Sequence, residues 1–334
     1  MVIDNNFYMS LALREAWKYQ GLTYPNPAVG ACVVGKNGEI LAVEAHQKAG
    51  KPHAEVNALQ KAYAKLTNND AILALKESSE IHNYLLQNHN NIFKDVTIYS
   101  TLEPCSHVGK TPSCANLIAS LGVKNVYVGC NDSNKIAANG NNLLRQNGAN
   151  VYEHILEKEA LALLKPFLLW QEKNFVFFKW AQRLDGSVDN GIVSSKASRK
   201  HVHALRDRCD LLVIGGNTVR VDRPTLDARL VNGKAPDILI LSNQKEFDRT
   251  IPLFNVKDRK VFIANNLEKV KEYKNVMIEG GAKMFEATKD IVDYYLAYVA
   301  PTFGGTLGFA TNKKEYFSIV HSEQKEDLLL WLER

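Results

Sequence analysis

The sequence predicts two α/β domains in tandem, and three observations carry that prediction. At 334 residues the chain is longer than the ~250–300 residues over which one hydrophobic core stays efficient. β-rich runs alternate with stretches of helical periodicity, as when helices pack on a largely parallel sheet. The alternation restarts near residue 150, with no repeat of the first half in the second. We place the domains at 1–148 and 149–334, joined near residues 145–165.

Taken in order, "NFYMSLALREAWKYQG" has apolar residues at helical spacing, with Gly21 placed to stop the helix. "AVGACVVG" and "ILAVEAH" flank Lys36-Asn37-Gly38-Glu39, a hairpin signal. "HAEVNALQKAYAKL" reads as a helix behind Pro52, a residue suited to a first turn. Residues 65–93, rich in Asn, Ser and Lys, read as an inserted, partly helical excursion. Strand "DVTIYST", helix "CANLIASLG" and strand "VKNVYVGC" follow. "EKEALALLKPFLLWQEKN" is expected to be a connecting amphipathic helix that breaks near Pro166. The second series comprises strand "FVFFKWA", helix "SKASRKHVHALRDR", strands "DLLVIGG", "DILILS", "KVFIAN" and "NVMIEGG", helix "AKMFEATKD" and strand "YYLAYVAP".

Composition narrows the function classes. Hydrophobic residues at 46% and charged residues at 23% are ordinary for a soluble globular protein. The net charge of +5 is spread among acids, with no basic stripe, which argues against a nucleic-acid partner. No apolar run reaches 18 residues, so a membrane span is not expected. "MVIDNNFYMS" carries an acid and no basic segment, unlike a secretion signal. Five cysteines, an odd count in a large chain, argue for a reducing cytoplasm over a disulfide framework. Cys32, Cys130 and Cys209 lie in apolar runs and read as small buried hydrophobes.

Cys105 and Cys114 frame "EPCSHVGKTPSC", and His53 and Glu55 sit upstream in "KPHAEVNAL". Zinc takes cysteine sulfur and histidine nitrogen in a tetrahedron, and a catalytic site keeps three protein ligands with one position open. His53, Cys105 and Cys114 supply that set. His53 and Cys114 fall at expected helix starts, whose partial positive charge favours thiolate. Glu55, in the first turn, can carry a proton between water and a leaving nitrogen. A structural zinc would want a fourth protein ligand, for which His46 and His107 are the candidates. The His-x-Glu and Pro-Cys elements are those of zinc deaminases acting on nucleobases, although here eight residues separate the cysteines.

"PNPAVG", "HQKAGKPHAEVNAL" and "TLEPCSHVGKTPSC", with "KWAQRLDGS", "GNTVRVDRPTLDAR", "IEGG" and "VAPTFGG", closely resemble the bifunctional riboflavin-biosynthesis deaminase/reductase family over nearly the whole chain. Lys110 stands where the family commonly has Arg. The resemblance implies a cytidine-deaminase-like α/β/α domain followed by a dihydrofolate-reductase-like α/β domain. It implies zinc-dependent hydrolytic deamination of a phosphoribosylamino-diaminopyrimidinone, then NADPH-dependent reduction of the ribosyl group to ribityl. His53, Cys105 and Cys114 match the zinc ligands, Glu55 the proton shuttle, and Asn26 and His46 substrate-shaping positions. Ala181, Thr218, Asp222 and the turn from Gly281 match cofactor positions; Arg206, Leu226, Arg229 and Glu279 match substrate positions. Arg206 and Arg229 offer forked donors for a sugar phosphate. The family usually pairs subunits through its second domain, which implies a homodimer or higher homo-oligomer. After "LDGS" the family runs through a longer loop with Gly-Glu-Ser and Trp. Here "VDNGIVSS" is short, with Ser194 and Ser195 as cofactor contacts, while Lys179 and Asp185 remain in place. The alternatives are a non-reducing second domain, a nucleic-acid deaminase, and a zinc-stabilised binding protein.

Overall fold

In the computed structural model, residues 3–107, 109, 111–132 and 139–334 are described. The chain divides into two compact units, Met1–Phe167 and Leu168–Arg334.

The first unit runs α1 (Asn5–Trp17), β1 (Gly30–Val34), β2 (Ile40–Ala45), α2 (Ala54–Thr67), α3 (Ser78–Asn88), β3 (Thr97–Leu102), α4 (Cys114–Ser120), β4 (Asn125–Cys130), α5 (Gly140–Gln146), β5 (Asn150–Tyr152) and the start of α6 (Glu157–Glu172). Its sheet has the order β2-β1-β3-β4-β5. β1 is antiparallel to both β2 and β3, and the β3, β4, β5 side is parallel. The hairpin turns at Gly38, whose φ of +84° suits a residue without Cβ. The first helix ends at Trp17, earlier than its glycine signal. A Cβ on Gly30 would lie 2.0 Å from the Ala12 carbonyl oxygen, so glycine is what lets α1 lie flat on β1.

The excursion over 65–93 is a packed layer. Ile72, Ile81, Leu85 and Phe93 are buried, and Gln60 of α2 donates to the Ile72 and Leu75 carbonyls at 2.7 and 3.0 Å. His53 caps α2 with extended backbone, so Pro52 lies before the cap and not in the first turn.

Pro166 does not break its helix: α6 is continuous from Glu157 to Glu172. Proline removes one amide donor at a cost of ~3 kcal/mol. Burial of Ala160, Leu163 and Leu164 is of the size to offset that cost.

The second unit carries β6 (Phe175–Arg183), α7 (Lys196–Arg208), β7 (Leu211–Gly215), α8 (Gly216–Asp222), β8 (Asp237–Leu241), β9 (Val261–Ala264), β10 (Asn275–Glu279), α9 (Ala282–Thr288), β11 (Tyr294–Ala300), β12 (Ser318–Gln324) and β13 (Leu328–Glu333). The sheet order is β12-β13-β11-β6-β10-β7-β8-β9. Strands from β11 to β9 are parallel, and β13 and β12 add an antiparallel edge. Phe178, Val213, Ile278, Phe285 and Tyr295 form part of its core. No helix among the described residues is long and apolar enough to cross a membrane.

Candidate functional site

In the first unit three donors meet at element ends. His53 is the residue before α2, Cys105 follows β3, and Cys114 is the first residue of α4. The His53 Nδ1 lies 3.4 Å from Cys114 Sγ and 3.7 Å from Cys105 Sγ. All three ligand atoms fall within 4.8 Å of one another. Zinc bonds of about 2.3 Å to sulfur and 2.0–2.1 Å to nitrogen give a tetrahedral N···S edge of about 3.6 Å, so the donors stand at the right separation. The two cysteines are pinned to each other by local bonds: Ser113 Oγ and Ala115 N donate to the Cys105 carbonyl at 2.8 and 3.1 Å, and Cys114 N approaches Cys105 Sγ at 3.4 Å. Thr111 Oγ1, 3.3 Å from His53 Nε2, orients the ring from behind.

The two thiols are pushed in opposite directions. Cys105 is driven down to about 4 by donation from the Cys114 thiol, burial opposing and His53 assisting, while Cys114 is driven up by serving as that donor and by burial. A cation at the convergence of these groups favours both as thiolates. Glu55, in the first turn of α2, is only 4% exposed, with Ser100 Oγ 3.4 Å from its Oε1. Burial, with a smaller push from Cys105, lifts its carboxyl to about 6 against the pull of His53. That places it among carboxyls able to both take and give a proton near neutrality.

His53, Glu55 and Cys105 line a cavity of about 400 Å³ that also takes in Asn26, His46, His107 and Asp132. Asn26 Nδ2 donates to His46 Nε2 at 3.1 Å, so His46 Nδ1 is the donor to the Pro52 carbonyl at 3.1 Å. Burial lowers the His46 ring to about 4, keeping it neutral. Both His46 nitrogens are engaged and His107 is exposed; among the described residues neither joins the metal-ligating group. Lys110 lies outside the described residues.

Sequence reading passed over Glu103. Its buried carboxylate accepts from Asp132 N at 3.1 Å and Asn141 N at 3.0 Å, tying the cavity wall to the strand that presents Cys105. An acid beside Pro-Cys was the available signal.

In the second unit Lys179 and Glu279 are register partners on β6 and β10, and Arg206 reaches them from α7. Arg206 donates Nε to Glu279 Oε1 at 2.8 Å and Nη2 to Oε2 at 3.0 Å. That pair corrects the reading of Arg206 as a free phosphate fork: its fork is engaged with Glu279. Lys179 Nζ lies 3.7 Å from Glu279 Oε2 and 5.7 Å from the Tyr298 ring centroid. Burial works to raise Glu279, but the Arg206 and Lys179 charges outweigh it and hold the carboxyl down to about 2. Burial lowers Lys179 against the pull of Glu279.

Arg206 Nη1 also reaches the Asp227 carbonyl at 3.4 Å, and Asp227 Oδ1 accepts from the exposed Arg229 at 2.7 Å. Leu226 is buried with φ of +55°, and Arg259 holds its carbonyl. Arg206, Leu226, Arg229 and Glu279 are thus joined through one loop. Thr218 and Asp222 lie on α8 after β7, Ala181 is half-buried on β6, and Gly281 precedes α9 with open space where a Cβ would stand.

Ser195 caps α7 by accepting from Ser198 N at 3.1 Å, which gives its hydroxyl a structural partner in place of the expected cofactor contact. The short loop is latched. Asp185 accepts from Ser187 N at 2.9 Å and Gly304 N at 2.9 Å, and Asp189 from Thr306 N at 2.9 Å and Leu307 N at 3.1 Å.

Comparison with known proteins agrees with this arrangement. Residues 3–130 match the cytidine and deoxycytidylate deaminase zinc-binding region, and residues 174–318 match the RibD C-terminal domain. The riboflavin biosynthesis protein RibD of Aquifex aeolicus is 36% identical over 281 residues, covering 81% of this chain and 71% of that protein. The Mycobacterium tuberculosis protein is 29% identical over 89% of this chain and 85% of its own. The crystal structure of a diaminohydroxyphosphoribosylaminopyrimidine deaminase/5-amino-6-(5-phosphoribosylamino)uracil reductase from Thermotoga maritima, 26% identical, covers 98% of each chain with a TM-score of 0.63. Acinetobacter baumannii RibD, 27% identical, covers 98% of each with a TM-score of 0.61. With the His53–Cys105–Cys114 cluster in the first unit and the RibD reductase domain in the second, the chain belongs to the RibD family of bifunctional riboflavin-biosynthesis enzymes, zinc-dependent deaminases that are also NADPH-dependent reductases.

Proposed function

We propose that the first domain, through residue 148 and the start of α6, hydrolytically deaminates 2,5-diamino-6-(5-phosphoribosylamino)pyrimidin-4(3H)-one. The second domain then reduces the ribosyl group, giving 5-amino-6-(5-phosphoribitylamino)uracil. The observation that supports this reading most is the meeting of His53, Cys105 and Cys114, with His53, Cys105 and the buried Glu55 facing one cavity.

His53, Cys105 and Cys114 hold the zinc, which when bound supplies Lewis-acid activation of water at its open position. Glu55 takes the proton from the attacking water and returns it to the exocyclic nitrogen, which leaves as ammonia while the ring carbon gains a carbonyl oxygen. Asn26 and the neutral His46 shape the ring pocket by hydrogen bonding. In the second domain NADPH supplies hydride when bound. Arg206 fixes the Glu279 carboxylate, Lys179 faces the sugar with it, and Leu226 and Arg229 bound the sugar-phosphate side. Ala181, Thr218, Asp222 and Gly281 hold the cofactor. The family resemblance is the support for a homo-oligomer joined through the second domain. The five unpaired cysteines support a cytoplasmic site of action.

Ammonia release from the diaminopyrimidine and NADPH oxidation on the deaminated pyrimidine, measured on wild type and Glu55→Gln, test the reading. Expected is loss of ammonia release by a factor of ~10² or more in the variant, with zinc content and NADPH oxidation unchanged. Ammonia release at the wild-type rate by Glu55→Gln removes the proton-shuttle assignment. NADPH left unoxidised by the wild type favours a second domain that only binds ligand.

A further inference from the structure

A second cavity, about 510 Å³, lies at the carboxyl ends of β7, β8 and β9, lined among others by Gly216, Asn217, Arg220, Ser242, Asn243 and Asn265. Carboxyl ends of parallel strands are where open α/β sheets take nucleotides. Among the described residues its wall offers amides, a hydroxyl and one cation, Arg220, and no carboxylate. Such a wall suits a nitrogenous base and a ribose, with a single place for an anion.

The cation is held ready. The Arg220 guanidinium lies over the Phe247 ring, 5.2 Å from its centroid, and among the described residues it has no ion-pair partner. Nearby arginines are committed elsewhere: Arg206 to Glu279, Arg223 to Asp248 and Arg229 to Asp227. A Cβ on Gly216 would stand 2.7 Å from the Ser242 side chain and 3.1 Å from Phe247, so glycine there is what lets both draw close to α8. The residues thus fit the adenosine half of a dinucleotide, with the ring of Phe247 fixing the plane of a forked, unneutralised donor.

We infer that Arg220 selects the ribose 2′-phosphate in this cavity, so that NADPH is taken in preference to NADH. The inference rests on the reductase reading of the second domain. An arginine fork donates two N–H groups to phosphate oxygens, and a hydrogen bond to a charged group corresponds to ~10- to 100-fold in affinity.

The test is direct binding to the full zinc-loaded chain without substrate, by nucleotide fluorescence, comparing NADPH with NADH and displacement by adenosine 2′,5′-bisphosphate with that by 5′-AMP. In the wild type, NADPH and the bisphosphate bind at least ~tenfold more tightly than their counterparts lacking the 2′-phosphate. Arg220→Gln brings each pair within ~twofold, and Arg220→Lys, which keeps the charge and loses the fork, falls between. Arg220→Gln that keeps the wild-type preference, or weakens NADPH and NADH equally as adenine stacking requires, overturns the inference and leaves the reductase reading standing. A wild type that binds neither dinucleotide overturns both.

Discussion

Glu279 is where the charge balance of the second unit is concentrated. It is buried against Arg206 and Lys179, and its carboxyl is held down to about 2 from an ordinary 4.5. A folded-state value below the unfolded one stabilises the fold above the unfolded value, and that share is lost as pH falls from about 4.5 towards 2. Glu279→Gln leaves two buried cations without their carboxylate. It is expected to destabilise the second unit by ~3–5 kcal/mol in denaturant unfolding, to flatten the acid limb of stability over that pH window, and to stop reduction. Unchanged stability would show that the ion cluster is not structural. The chemistry-bearing residues of the first unit were legible because a metal site needs particular side chains at helix starts and strand ends. Glu103 and Thr111 were not, because they act through backbone amides and a ring nitrogen that only the folded chain brings near. Arg206 was misread for a related reason: sequence shows a fork but not the carboxylate it faces.

Among the elements, α5 shows how closely the metal loop is held from behind. A Cβ on Gly140, its first residue, would lie 1.7 Å from the Pro104 carbonyl oxygen, next to Cys105. Gly140 does not have a positive φ, so the effect of Gly140→Ala is steric and pushes on the Cys105 segment. The expected outcome is ~10- to 100-fold weaker zinc retention in a chelator competition, with NADPH binding unchanged. Zinc retained as in wild type would show that α5 can move away freely. Long periodic helices and β-rich runs were readable in the sequence. The Asn- and Gly-flanked α5 and α8 and the three-residue β5 were not, since they resemble turns in sequence, and the closing β12–β13 hairpin was not, since β12 is a largely exposed, polar edge strand without the apolar run that marks the others. α6 ran through its proline because burial of one face outweighed a local rule, a balance that a proline signal alone does not contain.

Across the molecule, the two activities sit in units with separate sheets and separate cavities. Cys105→Ala is therefore expected to lose zinc and deamination while NADPH still binds at the wild-type affinity, checked by metal analysis beside fluorescence titration. Loss of NADPH binding in the same variant would mean that the two units do not fold independently. The two-domain plan was legible because a chain this long restarts its alternation midway. The sequence reading set the junction at 148/149, whereas the compact units divide at 167/168, because α6 carries on unbroken where a linker was expected.

In the first unit one imidazole and two sulfurs are proposed to share a cation with a corner left for water. Zinc-edge X-ray absorption on the purified full chain tests this most directly. Expected are two sulfur scatterers at ~2.3 Å with one nitrogen and one further light atom at ~2.0 Å, the last exchanging with a small anionic inhibitor. A shell filled by four protein ligands, or a protein that retains no zinc, would contradict it.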